Sequence, residues 1–384
     1  MEFNELNIPK CKKFNGYKPC VSYKNCLEEG CQADCEENQI GTKILMISLD
    51  ALGTVLMNTA ILPSIKRKFP VSTIYWITMP AAEKILFNNP LIDKVFTWTD
   101  ENRMVLRQIK FDYAYNTDKS NYACAFLNEV TAENKLGFVL NDDGKIVPAN
   151  KSAMYSYILG VDDNLKFRIN QRSGLDIVHE VLKLDYKKDE YIFEFTEEEK
   201  QFIENFKQEI NYDSRKYYVG FNTGCSNLFP NKKMTVEQHV HLIKEFAKDD
   251  NLKIVLFGGR EDTERNQQIM DLLPSDVQAK VLNTPSTLGL RRGACFMSIA
   301  DLVITGDSFG MHMAIGLKKY VIAWFGLSCV AEIEIYGRGE KLYQKDLECS
   351  PCWKKTCPNN LECISMIDLD KIVSLVKEYS LLKN

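Results

Sequence analysis

The sequence predicts an α/β protein made of two doubly wound, Rossmann-like domains, with a cysteine-rich arm before them and a cysteine-rich tail after them. Three observations predict it. Strand-like apolar runs alternate with helical stretches through residues 41–208 and again through 209–345. In the second half those runs are continuous rather than alternating, as strands covered on both faces are. Polar, glycine-bearing turns follow the strands, where ligands of parallel sheets bind.

Residues 1–40 form the arm, with Gly16, Pro19 and Gly30 and little apolar periodicity. KILMIS at 43–48 is the first strand, and a loop at 49–53 leads into a helical stretch over 54–68. Pro63 lacks an amide hydrogen and clashes with the preceding turn, so it bends that helix or limits its start. TIYWIT at 73–78 is β-branched and alternating, a strand, and a helix at 81–88 leads to a strand at 94–98. The region from 100 to 200 is less regular, with strands at 112–116 and 135–139, a helix at 123–130 and a charged surface helix at 196–208 before a linker. From 216 onward strands at 217–222, 253–257, 279–282, 302–305 and 320–325 alternate with helices at 236–248, 262–273, 287–299 and 310–317. The tail, 346–384, carries a second cysteine set and a closing helix over 369–382.

Composition narrows the function classes. A net charge of -4 offers no basic field for nucleic acid. The opening MEFNELNIPK lacks the apolar core of a signal peptide, and no segment approaches the roughly 18 apolar residues of a spanning helix. The expectation is a cytoplasmic protein whose membrane contact, if any, is peripheral, at the inner face.

Four segments carry candidate chemistry, each just after a strand. In TGDSFGMHMA (305–314) a strand ends, Gly306 and Gly310 turn the chain, and a helix begins whose free N–H groups suit a diphosphate. Asp307 could orient the loop or hold a sugar hydroxyl, Ser308 is a small donor and His312 could donate to a phosphate; ordinary capping by Asp307 or Ser308 explains the same residues. In FNTGCSNLFPNKKMT (221–235), Asn222, Thr223 and Gly224 make a polar turn, and Lys232 can meet a phosphate as a point charge, although a lone lysine is usually surface. In FGGRE (257–261), two glycines allow close backbone approach and Glu261 can accept from ribose hydroxyls, or merely favour a helix start. In SLDALGTVLMN (48–58), Asp50 and Thr54 flank Gly53; transfer to a hydroxyl needs a base, for which a carboxylate suits and a threonine does not.

ILMISLDALGTVLMNTAILPSIKRKFP followed by TIYWIT and NNPLIDKV resembles the opening of the ADP-heptose:lipopolysaccharide heptosyltransferase family, glycosyltransferase family 9. GDSFGMHMAIGLKKYVIAWFG is similar to its C-terminal signature, and FNTG with the downstream KK and FGGREDTERN match in order and spacing, over about residues 40–370. The resemblance implies a GT-B fold, two Rossmann-like domains facing a cleft, with 41–208 binding acceptor and 209–345 binding the nucleotide sugar. It implies inverting transfer of a heptose from an ADP-sugar to a hydroxyl of a surface glycan or protein, without a catalytic metal. By position, Asp307, Ser308, Phe309, Gly310 and His312 would line the diphosphate, Lys232 would reach the β-phosphate, Thr223 would help hold phosphate or sugar, and Glu261 would hold the ribose. Two departures stand out. The family's proposed base, an aspartate after Leu-Gly, is Thr54 here, with Asp50 four residues earlier, and Phe309 replaces a usual glycine. Three readings stay open: Asp50 replaces the base, another group does, or the chain is a catalytically weak nucleotide-sugar-binding or scaffold protein.

Thirteen cysteines are unusual, and nine fall in two sets. Cys349, Cys352, Cys357 and Cys363 form one; Cys20, Cys31 and Cys35, with Cys11 and Cys26, form the other. In a reducing compartment such density points more to metal than to disulfides, and four thiolates suit structural zinc, iron or an iron–sulfur cluster. Cysteine-bearing members of the resembled family are associated with iron. Cys124, Cys225, Cys295 and Cys329 are scattered and read as small buried apolar residues.

Overall fold

The computed structural model describes residues 8–20, 25 and 38–382. The chain forms two compact units. One comprises Met1–Ala51, Ala60–Ile158 and Asp176–Asp189; the other comprises Leu52–Thr59, Leu159–Leu175 and Glu190–Asn384.

The first unit is a six-stranded sheet of β1 (Thr42–Ile47), β2 (Ser72–Thr78), β3 (Lys94–Thr97), β4 (Lys110–Asn116), β5 (Thr131–Leu140) and β6 (Ile146–Pro148), in the order β3-β2-β1-β4-β5-β6. All neighbours are parallel except β5 and β6. Leu45, Ile47, Tyr75, Ile77, Phe111 and Phe126 pack its core. Leu62–Lys68 is a separate helix with Pro63 in its first turn, divided in the chain from Leu52–Asn58 by a 3-10 turn at Thr59–Ile61. Pro63 thus starts a helix, where its missing N–H costs nothing, rather than bending one.

The second unit has β7 (Tyr217–Asn222), β8 (Leu252–Phe257), β9 (Val281–Asn283), β10 (Leu302–Gly306), β11 (Tyr320–Phe325) and β12 (Gly339–Tyr343), parallel throughout and ordered β12-β11-β10-β7-β8-β9. Every residue of β7 and β10 is buried, which is why these strands read as unbroken apolar runs. The closing helix Leu369–Leu381 adds Ile372 and Val376 to the core of Phe221, Ile254, Ile304 and Trp324. β9 is shorter than its sequence suggests, because Ala279 caps the short helix Ser275–Gln278. Among the described residues no helix is long and apolar enough to cross a membrane.

Candidate functional site

In each sheet the chain starts in the middle and winds both ways, so loops part between β1 and β4 and between β7 and β10. In the second unit that parting is bridged by one side chain. Asn222, the last residue of β7, donates through Nδ2 to Thr305 Oγ1 at 2.9 Å, Ser308 Oγ at 3.0 Å and the Gly224 carbonyl at 3.1 Å. Gly310 makes room for it: a β-carbon there would lie 2.4 Å from the Asn222 side chain. A pocket of about 530 Å³ opens beside this bridge, lined by Asn222, Cys225, Glu261, Ser308, Phe309 and Gly310 among others. The helix Phe309–Gly316 begins at its wall, and Ser308, its N-cap residue, makes no side-chain cap, so the first-turn N–H groups lack that partner. Glu261 is exposed in the 3-10 turn Arg260–Asp262.

Lys232, Asp307 and His312 are not among the residues lining this pocket; Lys232 and Asp307 form an ion pair, with His312 beside them. Lys232 Nζ is 2.6 Å from Asp307 Oδ2, each side chain only 13% exposed. The lysine backbone is fixed by Trp324, whose indole N–H donates to the Lys232 carbonyl at 2.9 Å. Burial opposes ionisation of Asp307, but the Lys232 ammonium and the His312 imidazole outweigh it and hold the carboxyl below its ordinary value. Burial drives His312 down to about 4 against the pull of Asp307, so its imidazole is neutral near pH 7. Its Nδ1 lies 3.3 Å from the Tyr191 hydroxyl, and the two rings stack at 6.0 Å. Gly53 packs on the same imidazole: a β-carbon there would lie 2.4 Å from His312 Cδ2. Thr54, the next residue, is half-buried on the Leu52–Asn58 helix. Thr223 is buried and its hydroxyl is taken by the Phe257 carbonyl at 3.2 Å and by Asn266 Oδ1. Lys233, the second lysine of the pair, is engaged with Asp262 at 3.2 Å.

At the β1/β4 parting of the first unit, Asp50 is exposed. The structure adds a residue that sequence reasoning missed. Asp118, just past β4, accepts from the Leu49 N–H and, at 3.4 Å, from the Asp50 N–H, and so fixes the loop that carries Asp50. Burial pushes its carboxyl up to about 6 despite those donors, with the Asp50 charge adding to the rise. A carboxyl poised there is suited to proton transfer near neutral pH. No local motif marks it; its place depends on β4 lying beside β1, 69 residues away.

The sign of that shift gives a stability prediction. A raised carboxyl pKa means the folded protein holds a proton that the unfolded chain has released, so stability falls as pH rises from about 4 to about 6. Asp118→Asn is expected to remove this dependence and to gain up to about 3 kcal/mol over wild type at pH 7. Urea unfolding at pH 4.5 and pH 7 checks it; a wild-type-to-variant difference that does not change with pH contradicts it.

Cys349, Cys352, Cys357 and Cys363 line one small pocket of about 30 Å³, together with Asn231. Burial, then the neighbouring Cys352, Cys357 and Cys349, push the Cys363 thiol up to about 11. Among the described residues, no three His, Cys, Asp or Glu side chains are grouped so as to hold an ion. Cys11 is buried and Cys20 exposed, while Cys31 and Cys35 lie outside the described residues. Cys124, Cys295 and Cys329 are buried as expected; Cys225 is half-buried and faces the large pocket.

The sequence profile of glycosyltransferase family 9 (heptosyltransferase) matches residues 103–362, about two thirds of the chain. A lipopolysaccharide heptosyltransferase 1 from Campylobacter coli is 22% identical over 352 residues, covering 88% of this chain and 98% of its own length. A family 9 glycosyltransferase from Veillonella parvula superposes with a TM-score of 0.70 at 20% identity, over 89% of this chain and 98% of that one. TibC of enterotoxigenic E. coli, described as an iron-containing dodecameric heptosyltransferase in complex with ADP-D-β-D-heptose, superposes with a TM-score of 0.52 at 10% identity, over 90% of this chain and 77% of its own. The fold is therefore of the GT-B type shared by these transferases.

Proposed function

We propose that this chain, which belongs to glycosyltransferase family 9 (heptosyltransferase) and is a glycosyltransferase, moves a heptose or related sugar from an ADP-sugar to a hydroxyl of a surface glycan or protein, with inversion. The observation that carries this reading is the pocket at the β7/β10 parting, where a helix start, Asn222, Ser308 and Gly310 meet, next to the Lys232–Asp307 pair. Backbone N–H groups of the Phe309–Gly316 helix and the Lys232 ammonium would take the two phosphates, and Glu261 at the rim would accept from the ribose. Neutral His312, fixed by Tyr191 and Gly53, would donate one hydrogen bond without adding charge. Thr223 acts indirectly in this reading: its hydroxyl braces the turn against Asn266.

In the transfer the acceptor oxygen bonds to the anomeric carbon, the bond from that carbon to the β-phosphate oxygen breaks, and ADP leaves carrying the negative charge. The acceptor proton goes to a carboxylate, and Asp50 takes that role in place of the aspartate replaced by Thr54. Asp118 fixes the Asp50 loop, and its raised pKa makes it the second candidate for the base. Release of ADP from ADP-heptose, in the presence of a lipopolysaccharide-core acceptor, tests the activity; nucleotide binding without turnover on any acceptor would leave a binding or scaffold protein. Residues 41–208 are assigned the acceptor, and a cytoplasmic location with peripheral membrane contact fits that role.

The four tail cysteines fit a structural zinc or iron site in number, in chemistry and in their shared pocket, and an ion would have to pull their thiols closer than they stand. So bound, it would tie Cys349, Cys352, Cys357 and Cys363 and stabilise the tail. Elemental analysis of purified protein is expected to find about one zinc or iron per four-thiolate site, lost in Cys357→Ser. Metal-free folded protein, or metal unchanged in that variant, contradicts it.

A further inference from the structure

We propose that Trp353, presented by the four-cysteine loop, is a positioning residue for Lys232, its ring holding the ammonium ready for the donor diphosphate. The inference rests on the donor-site reading above. Lys232 Nζ stands 4.9 Å from the Trp353 ring centroid and 5.5 Å from that of Phe229, distances at which an aromatic face attracts a cation. The two rings contact each other at 5.2 Å, so the ammonium meets an aromatic pair as well as the Asp307 carboxylate. Such faces hold a cation without neutralising it and without accepting a conventional hydrogen bond. A second carboxylate would do both, and would compete with phosphate.

The loop is built to put the ring there. Trp353 has φ 52, a left-handed conformation that costs a bulky residue energy and persists only where the surroundings enforce it. The enforcement is visible. The N–H groups of Cys352 and Trp353 both donate to the Leu327 carbonyl, at 3.2 and 2.8 Å. Asn231, the neighbour of Lys232, donates to the carbonyl of Lys354, the neighbour of Trp353, at 2.9 Å. Core packing does not explain the position, since Trp353 is 44% exposed whereas Trp324 is 2% exposed. The ring also has the Lys166 ammonium at 5.4 Å, itself 3.5 Å from Glu332.

The test compares ADP and adenosine binding by titration calorimetry in wild type, Trp353→Phe and Trp353→Leu, with circular dichroism to confirm folding. Leucine keeps apolar bulk but has no π face, so Trp353→Leu is expected to weaken ADP about threefold to thirtyfold while leaving adenosine unchanged, and Trp353→Phe to retain most of the affinity. A leucine variant that binds ADP as wild type does, or loses ADP and adenosine alike, overturns the proposal and leaves the donor site standing. A leucine variant that does not fold leaves the decision to Trp353→Phe, where ADP loss matched by adenosine loss overturns it. Wild-type protein that binds no ADP overturns the donor-site reading and this inference together.

Discussion

Lys232→Met is expected to lower kcat/KM for an ADP-sugar by about a hundredfold to a thousandfold, the loss seen when one preorganised donor to a developing anion is removed. The geometry explains why so much rests on one side chain. Lys232 is the ammonium that pairs with Asp307 at the β7/β10 parting, while its neighbour Lys233 is committed to Asp262. The same substitution leaves Asp307 as a largely buried carboxylate without its cation, at a cost of about 3–5 kcal/mol. Two effects are therefore mixed, and a second variant separates them. Lys232→Met with Asp307→Asn removes both charges, so stability should recover while donor turnover stays low. Activity that returns along with stability would show that the lysine matters only for folding. Steady-state kinetics and urea unfolding of the three proteins decide it.

Asp50→Ala is expected to lower kcat by about a hundredfold to ten-thousandfold, the range a positioned general base supplies, with ADP affinity unchanged. The split between kcat and binding is the point, because Asp50 belongs to the first unit and the pocket proposed for the nucleotide to the second. Full activity in Asp50→Ala rejects the assignment. Loss in Asp118→Asn alone would then move the base to Asp118, whose carboxyl is already pushed up to about 6 by burial. Thr54→Asp, which places a carboxylate where the family resemblance implies one, should rescue part of the rate in the Asp50→Ala background if proton removal is what was lost.

Much of the fold was legible because buried parallel strands write themselves as apolar runs: KILMIS and YYVGFN could hardly be anything else. The edge strands were not. β12 reads GEKLY, with charges that only an edge tolerates, and β6 is three residues ending in Pro148. The helix Asp100–Gln108 was hidden in a polar stretch, although Thr99 caps it by accepting from the Asn102 N–H. At the candidate site, residues just after strands were visible from sequence, because the carboxyl end of a parallel strand is where ligands bind. Glu261, Ser308 and Gly310 are named on that ground and Phe309 through the family resemblance, and all four line one pocket. Residues placed by distant contacts were invisible. Asp118 needs the β1–β4 pairing, and Trp353 needs the Asn231–Lys354 hydrogen bond. Gly53 reads in the sequence only as the end of a loop, yet a side chain there is excluded by the imidazole of His312, 259 positions later in the chain.

Everything proposed for the second unit depends on its holding a nucleoside diphosphate by both phosphates. Calorimetric titration with ADP, AMP and adenosine tests it most directly. Wild-type protein is expected to bind ADP at least about tenfold more tightly than AMP, and Lys232→Met with Asp307→Asn to erase this preference while adenosine binds both proteins alike. Equal affinity for ADP and adenosine in the wild type, or an ADP preference untouched by the double variant, would contradict it.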